Sequence, residues 1–126
     1  MLKVGLLGMG FMGSSHFQIY QDMSDVQVEH IFDLDPEKVK NGEIAAGNIG
    51  DGGADLDLSG INITDDADEV IDSDVDIVDV CLPTFLHAEH AIKALDAGKN
   101  VMCEKPMAPT LEECQNMIDA RDRAGK

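Results

Sequence analysis

Basic side chains are scarce in this sequence. Nine lysines and arginines stand against 25 aspartates and glutamates, a formal charge of −16, and the isoelectric point is about 4.2. Such a chain repels phosphate backbones and anionic headgroups, which argues against nucleic-acid and membrane-surface binding. The excess is mostly aspartate and reads as solvated surface, or as adaptation to a salty source. Cysteine is also sparse, with three residues, Cys81, Cys103 and Cys114. Their odd number, wide spacing and lack of a C-x-x-C pair argue against a disulfide framework and against a zinc site. Cys81 and Cys103 lie in apolar runs and read as core. No apolar run approaches the roughly 18 residues of a membrane helix. The few apolar residues after Lys3 are broken by glycines, unlike a signal peptide. Repeats and low-complexity tracts are absent. The 126 residues suit one domain, and the expectation is a reduced, cytoplasmic protein with no metal site.

What is present is organised around the first 35 residues. The apolar run Leu2–Leu7 leads at once into Gly8, Met9, Gly10, Phe11, Met12 and Gly13, a G-x-G-x-x-G pattern. Gly8 lets the chain turn out of a strand, Gly10 leaves room for a pyrophosphate to approach the backbone, and Gly13 lets a helix sit tightly on the strand. The helix start offers N–H groups and a positive dipole end to phosphates. A helix is expected over residues 11–23, with Met12, Ile19 and Met23 at near-helical spacing, and then a strand over 26–32. Asp33 ends that strand about 20 residues beyond the glycines, where a carboxylate accepts hydrogen bonds from an adenosine ribose. The competing reading is a tight strand-to-helix turn with no ligand and Asp33 as a helix cap. Asp33 and Asp35, with no basic residue before Lys38, favour NAD over NADP.

Further along, Asp35 and Pro36 start a helix expected to reach residue 46. Residues 47–60, rich in glycine and aspartate, read as a long loop. A short strand is expected at 61–63, and residues 64–66 cap a short acidic helix that ends near Ile71. Residues 75–82 form an almost continuous apolar run, as in a strand covered on both faces. Asp79 interrupts it, and a carboxylate there requires a partner, which the sequence does not identify. A helix over 85–97 with Ala88, Ala91, Ile92 and Leu95 inward, Gly98 as its stop, a strand over 100–103 and a helix begun by Thr110 with Glu113 complete the chain. The alternation βαβαβαβαβα implies an α/β fold of Rossmann type: a doubly wound, mainly parallel sheet with helices on both faces.

Together these stretches resemble the N-terminal nucleotide-binding domain of the glucose-fructose oxidoreductase/inositol dehydrogenase (Gfo/Idh/MocA) family. The resemblance rests on GMGFMGSSH at residues 8–16, Asp33, VDIVDVCLPTFLHAEHAIKALDAGKNV at 75–101 and CEKPMAPTLEE at 103–113. It implies an NAD(P)-dependent oxidoreductase of sugars, inositols and related polyols. Gly8, Gly10, Phe11, Met12 and Gly13 would form the pyrophosphate turn, and Asp33 would hold the adenosine ribose. Leu82, Pro83 and Thr84 would line the cofactor cleft, and Glu104 and Lys105 would lie near the nicotinamide ribose. Lys105 would assist proton transfer at the substrate hydroxyl. The family's second α/β domain, which binds substrate, has no counterpart in these residues, and its loss would bare apolar surface that favours homo-oligomers.

Blander roles stand beside these. Lys105 also reads as a surface lysine paired with an acid, and Pro106 as a loop proline or a constrained cis bond. His16 and His87 read as packing or capping residues, with His87 close enough to Pro83 and Thr84 to join the cleft. His30 and His90 read as bland, and the methionines as core filler. The aspartates of 65–79 lack calcium-loop spacing. Alternatives to the enzyme are a non-catalytic NAD- or partner-binding module and a domain for another adenine ligand.

Overall fold

The apolar runs of the sequence become strands and the amphipathic stretches between them become helices. The computed structural model describes residues 1–43 and 56–126. The order is β1 (Leu2–Leu7), α1 (Phe11–Gln21), β2 (Val26–Phe32), α2 (Pro36–Lys40), β3 (Asn62–Thr64), α3 (Ala67–Asp72), β4 (Ile77–Val80), α4 (His87–Asp96), β5 (Asn100–Cys103) and α5 (Leu111–Ala124). Every pairing is parallel, and the sheet runs β3-β2-β1-β4-β5. The strand order therefore reverses between β1 and β4.

Strand alternation sends Val4, Leu6 and Ile31 to one face, where they bury Phe17 of α1 and Val39 of α2. Leu7, Val78 and Val80 point to the other face, against Val70 of α3 and Ala94 of α4. Helices cover both faces, as the alternation of elements predicts. Helix α5 packs on α4 through Met117 against Ala88 and Ala91.

Several boundaries and one packing face differ from expectation. Helix α1 stops at Gln21, because the chain turns at Asp22 and Met23 with N–H bonds back to Ile19 and Tyr20. Its inward face is Gly13, Ser14, Ser15 and Phe17, whereas Met12, Ile19 and Met23 are exposed. The reason is proximity: the helix starts so close to the sheet that only small residues fit beneath its first turns. Of the methionines read as core filler, Met9 and Met117 are buried, while Met12, Met23, Met102 and Met107 are exposed. Asp35 caps α2 by accepting from the Lys38 N–H at 3.2 Å, but α2 ends at Lys40, followed by Gly42 at φ +72°. Residues 44–46 of the expected helix, and the expected loop up to residue 55, lie outside the described residues. Strand β4 is shorter than the apolar run that forms it, and residues 84–86 make a 3-10 turn before α4. Thr110 caps α5, its hydroxyl oxygen accepting from the Glu113 N–H at 3.2 Å and its O–H donating to the Glu113 carboxylate at 2.6 Å.

The tightest point in the fold lies at the first turn. A Cβ on Gly13 would stand 1.8 Å from the Gly8 carbonyl oxygen, and Gly8 itself has φ +95°. Gly10, between them, has nothing among the described residues within 4 Å of where its Cβ would be. Gly13→Ala is therefore expected to destabilise the fold by about 1–3 kcal/mol. Gly10→Ala is expected to cost no more than about 0.5 kcal/mol, as at other open sites. Urea unfolding of the two variants beside the wild type checks the contrast.

Candidate functional site

Parallel strands bring all their carboxyl ends to one edge. The register pairs Leu7 with Phe32, Leu7 with Val80, and Val80 with Cys103. The residues that follow, Gly8, Asp33, Cys81 and Glu104, consequently leave the sheet in one row. The ladder extends a step further: the N–H groups of Gly8, Cys81 and Glu104 donate to Phe32, Leu7 and Val80 carbonyls at 2.8, 2.9 and 3.0 Å. Backbone geometry alone thus assembles the stretches that the sequence singled out. In open parallel sheets, the crevice where strand order reverses is where ligands bind.

The glycine turn fits a dinucleotide phosphate. Gly10 precedes α1 and offers no side-chain cap, and the helix's first turn carries no acid. Its leading N–H groups therefore carry no side-chain cap and sit at the positive end of the helix dipole, an arrangement suited to an anion. The space over Gly10 is open among the described residues. Phe11 and Met12 stand exposed beside it. Asp33 is half-buried next to the turn. One of its oxygens accepts from the Met9 N–H at 2.9 Å, the other from the Asp35 N–H at 3.0 Å. The cap of α2 is Asp35, so Asp33 holds the turn, each of its oxygens accepting one backbone N–H.

On the other side of β1, Leu82 and Thr84 are half-buried and Pro83 is exposed. His87 is buried behind them, with Nε2 at 2.7 Å from the Leu82 carbonyl and Nδ1 at 2.9 Å from the Pro106 carbonyl. Both ring nitrogens lie against backbone carbonyls, so His87 braces the Leu82 and Pro106 loops against each other. The Lys105–Pro106 peptide is cis. Lys105 is exposed, and its ammonium makes no ion pair among the described residues, unlike the paired surface lysine weighed above.

The partner required by Asp79 is found. The carboxylate is fully buried and accepts from His16 Nδ1 at 2.8 Å and from the Tyr20 hydroxyl at 2.8 Å, with the Cys81 thiol 3.5 Å away. His16 Nε2 reaches the Glu104 carboxylate at 3.0 Å. His16 and Tyr20 are four residues apart on α1 and so share one face, a signal legible in the sequence that had pointed to Asp79 without its partners. The ligand-type atoms of His16, Asp79 and Cys81 all lie within 4.8 Å of one another, but in this arrangement they pair among themselves.

Cys81 and Cys103 are half-buried rather than core. Burial, then the Asp79 carboxylate, drives the Cys81 thiol far above its ordinary value. The same causes push Cys103 up to about 11 and raise the Tyr20 hydroxyl. The contact between Cys81 Sγ and His16 Nδ1 at 3.3 Å is therefore no activated thiolate pair.

Comparison with known proteins agrees with this geometry. The family model described as "Oxidoreductase family, NAD-binding Rossmann fold" matches residues 2–126. Levoglucosan dehydrogenase of Pseudarthrobacter phenanthrenivorans is 41% identical over 123 residues, covering 94% of this chain and 30% of the relative. Inositol 2-dehydrogenase of Salmonella typhimurium is 35% identical over 129 residues, covering 99% of this chain and 34% of the relative. A levoglucosan dehydrogenase solved with NADH and levoglucosan superposes with a TM-score of 0.75 at 36% identity, over 94% of this chain and 31% of that one. The chain spans about a third of the length of these relatives.

The raised thiols set an alkaline limit. From the ordinary thiol value of 9.0 up to about 11 for Cys103, the unfolded chain releases protons that the folded chain still holds. Stability therefore falls as pH rises through that window and is unaffected by these groups below it. Urea midpoints measured across the window are expected to decline, and Cys103→Ala is expected to make the decline shallower.

Proposed function

The chain belongs to the Gfo/Idh/MocA oxidoreductase family, and from that premise we propose that it holds NAD along the carboxyl edge of its sheet and serves hydride transfer to or from a sugar, inositol or related polyol. The observation that carries this is the row formed by Gly8, Asp33, Cys81 and Glu104 across the strand-order reversal, with open space over Gly10 among the described residues. In this reading Gly8, Gly10, Phe11, Met12 and Gly13 receive the pyrophosphate and Asp33 receives the adenosine ribose. Leu82, Pro83 and Thr84 form the wall beneath the nicotinamide, held by the His87 brace. Glu104 and Lys105 stand at the nicotinamide ribose. NAD is preferred, because a 2′-phosphate would meet Asp33 and Asp35.

Bound NAD supplies the hydride-accepting ring. The protein's part is orientation and a proton path. Lys105, exposed at the cleft and engaged with no acid among the described residues, takes or returns the proton of the substrate hydroxyl as its charge develops. Substrate contacts and the cover over the nicotinamide come, in this reading, from a second domain in the part of the relatives that this chain does not span. Apolar residues left in solvent, such as Ile19 and Met102, suit that domain or a homo-oligomer contact. No helix among the described residues is long and apolar enough to cross a membrane. With its cysteines free and a charge of −16, we place the domain in the reducing cytoplasm, away from nucleic acid.

Calorimetric titration tests the cofactor reading. NAD is expected to bind at least about tenfold more tightly than NADP, the penalty for a phosphate beside carboxylates being several kcal/mol at most. Gly10→Val is expected to abolish NAD binding with the circular dichroism spectrum retained. NADP binding as tight as NAD, or a Gly10→Val chain that still binds, overturns the assignment. For an enzyme containing this domain, Lys105→Ala is expected to lower kcat by about 10²–10⁴-fold, the usual worth of general acid–base help, with NAD affinity nearly unchanged. A normal kcat with weakened NAD binding would make Lys105 a cofactor ligand instead.

A further inference from the structure

The polar chain that starts at Asp79 ends at the cleft. Asp79 is fully buried in the centre of β4, anchored by backbone on both sides through the pairs Leu6–Asp79 and Asp79–Met102. His16 stands on it through Nδ1 at 2.8 Å and holds Glu104 through Nε2 at 3.0 Å, with the His16 and Glu104 side chains only 12% and 16% exposed. Tyr20 meets the His16 ring edge-on, with centroids 6.4 Å apart, and donates to the same Asp79 oxygen. The ring is thus fixed in position and orientation from three directions. The Glu104 carboxylate, held by the ring at one oxygen, accepts the Lys105 N–H at the other, at 3.3 Å.

We infer that His16 is a positioning residue: it sets the Glu104 carboxylate, and through it the Glu104–Lys105 segment, for the nicotinamide half of the cofactor. The inference rests on the proposal that this segment meets that half. His16 lies on α1, past the glycine turn, so a role confined to the turn and a role through Glu104 make different demands. A turn role concerns the pyrophosphate. A role through Glu104 concerns only the nicotinamide end. The ring spans both carboxylates, Nδ1 on Asp79 and Nε2 on Glu104, and neither a hydrophobic residue nor a shorter amide spans the two. Asp79 serves as the anchor that points Nε2 outward, in the way a buried carboxylate orients a ring by occupying its other nitrogen.

Two probes separate these roles on the chain as it stands: NADH, which carries the nicotinamide half, and ADP, which carries only the adenosine and pyrophosphate. His16→Leu is expected to weaken NADH about tenfold or more, in line with loss of a hydrogen bond to a carboxylate, and to leave ADP affinity within about twofold. Glu104→Ala, which removes the carboxylate and leaves the backbone as it is, is expected to give the same pattern. In the His16→Leu background Glu104→Ala is expected to add little, since both act through one contact. Equal loss of NADH and ADP in His16→Leu, unchanged NADH affinity, or losses that multiply in the double variant overturn the inference. A His16→Leu chain that unfolds leaves the decision to Glu104→Ala, for which an unchanged ratio of NADH to ADP affinity also overturns it. A wild-type chain that binds ADP and NADH equally overturns the underlying placement of the nicotinamide, and this inference with it.

Discussion

No side chain fits between the Gly8 carbonyl and Gly13. That contact sets the depth and direction of α1, and the rest of the molecule depends on it. Because α1 begins against the backbone of the β1 turn, its open N–H groups face the carboxyl edge of the sheet. Its sheet-facing side is restricted to small residues and Phe17, and the apolar residues that periodicity would send inward are displaced to solvent. The same depth brings His16 and Tyr20 down to β4, where they satisfy a carboxylate that would otherwise be intolerable in a sheet interior. One close approach therefore shapes both the anion-receptive turn and the polar network beside it.

The polar network also shows why a buried charge can be kept in a strand that otherwise selects branched apolar residues. Asp79 is surrounded by donors from α1 and its own strand, so its desolvation is met by hydrogen bonds rather than left uncompensated. Replacing the set with apolar groups of similar volume could serve stability equally well. What an apolar set would not do is carry an oriented donor to Glu104 at the cleft. The elevated thiols of Cys81 and Cys103 follow from the same carboxylates and the same burial. The network thus favours the protonated form of its neighbouring sulfurs.

Parallel pairing explains how residues so distant in sequence meet. With every strand pointing the same way and the register locked by the ladder, a single edge collects each strand's following residue. Loops at that edge are then tied to one another by side chains such as His87, between Leu82 and Pro106, and Asp33, between Met9 and Asp35. The floor of the cleft is built from backbone and from these cross-ties.

Much of this was determined by the sequence itself. The spacing of Gly8, Gly10 and Gly13 directly after an apolar strand marks a tight strand-to-helix turn, so the turn and the strand that ends at Asp33 were legible. Alternation of apolar strands with helices decided a parallel sheet, because two strands joined through a helix return in the same direction. Asp79 could be recognised as needing a partner from its apolar surroundings alone. Only the tertiary structure decided who that partner is, since His16 and Tyr20 are brought to it by the depth at which α1 docks. It also decided that Met12, Ile19 and Met23 face outward, because helical periodicity defines a stripe but the closeness of the sheet decides which stripe fits. The role of His87 was likewise set by tertiary contact: both its nitrogens meet backbone carbonyls whose positions depend on how the β4 and β5 loops fold over each other.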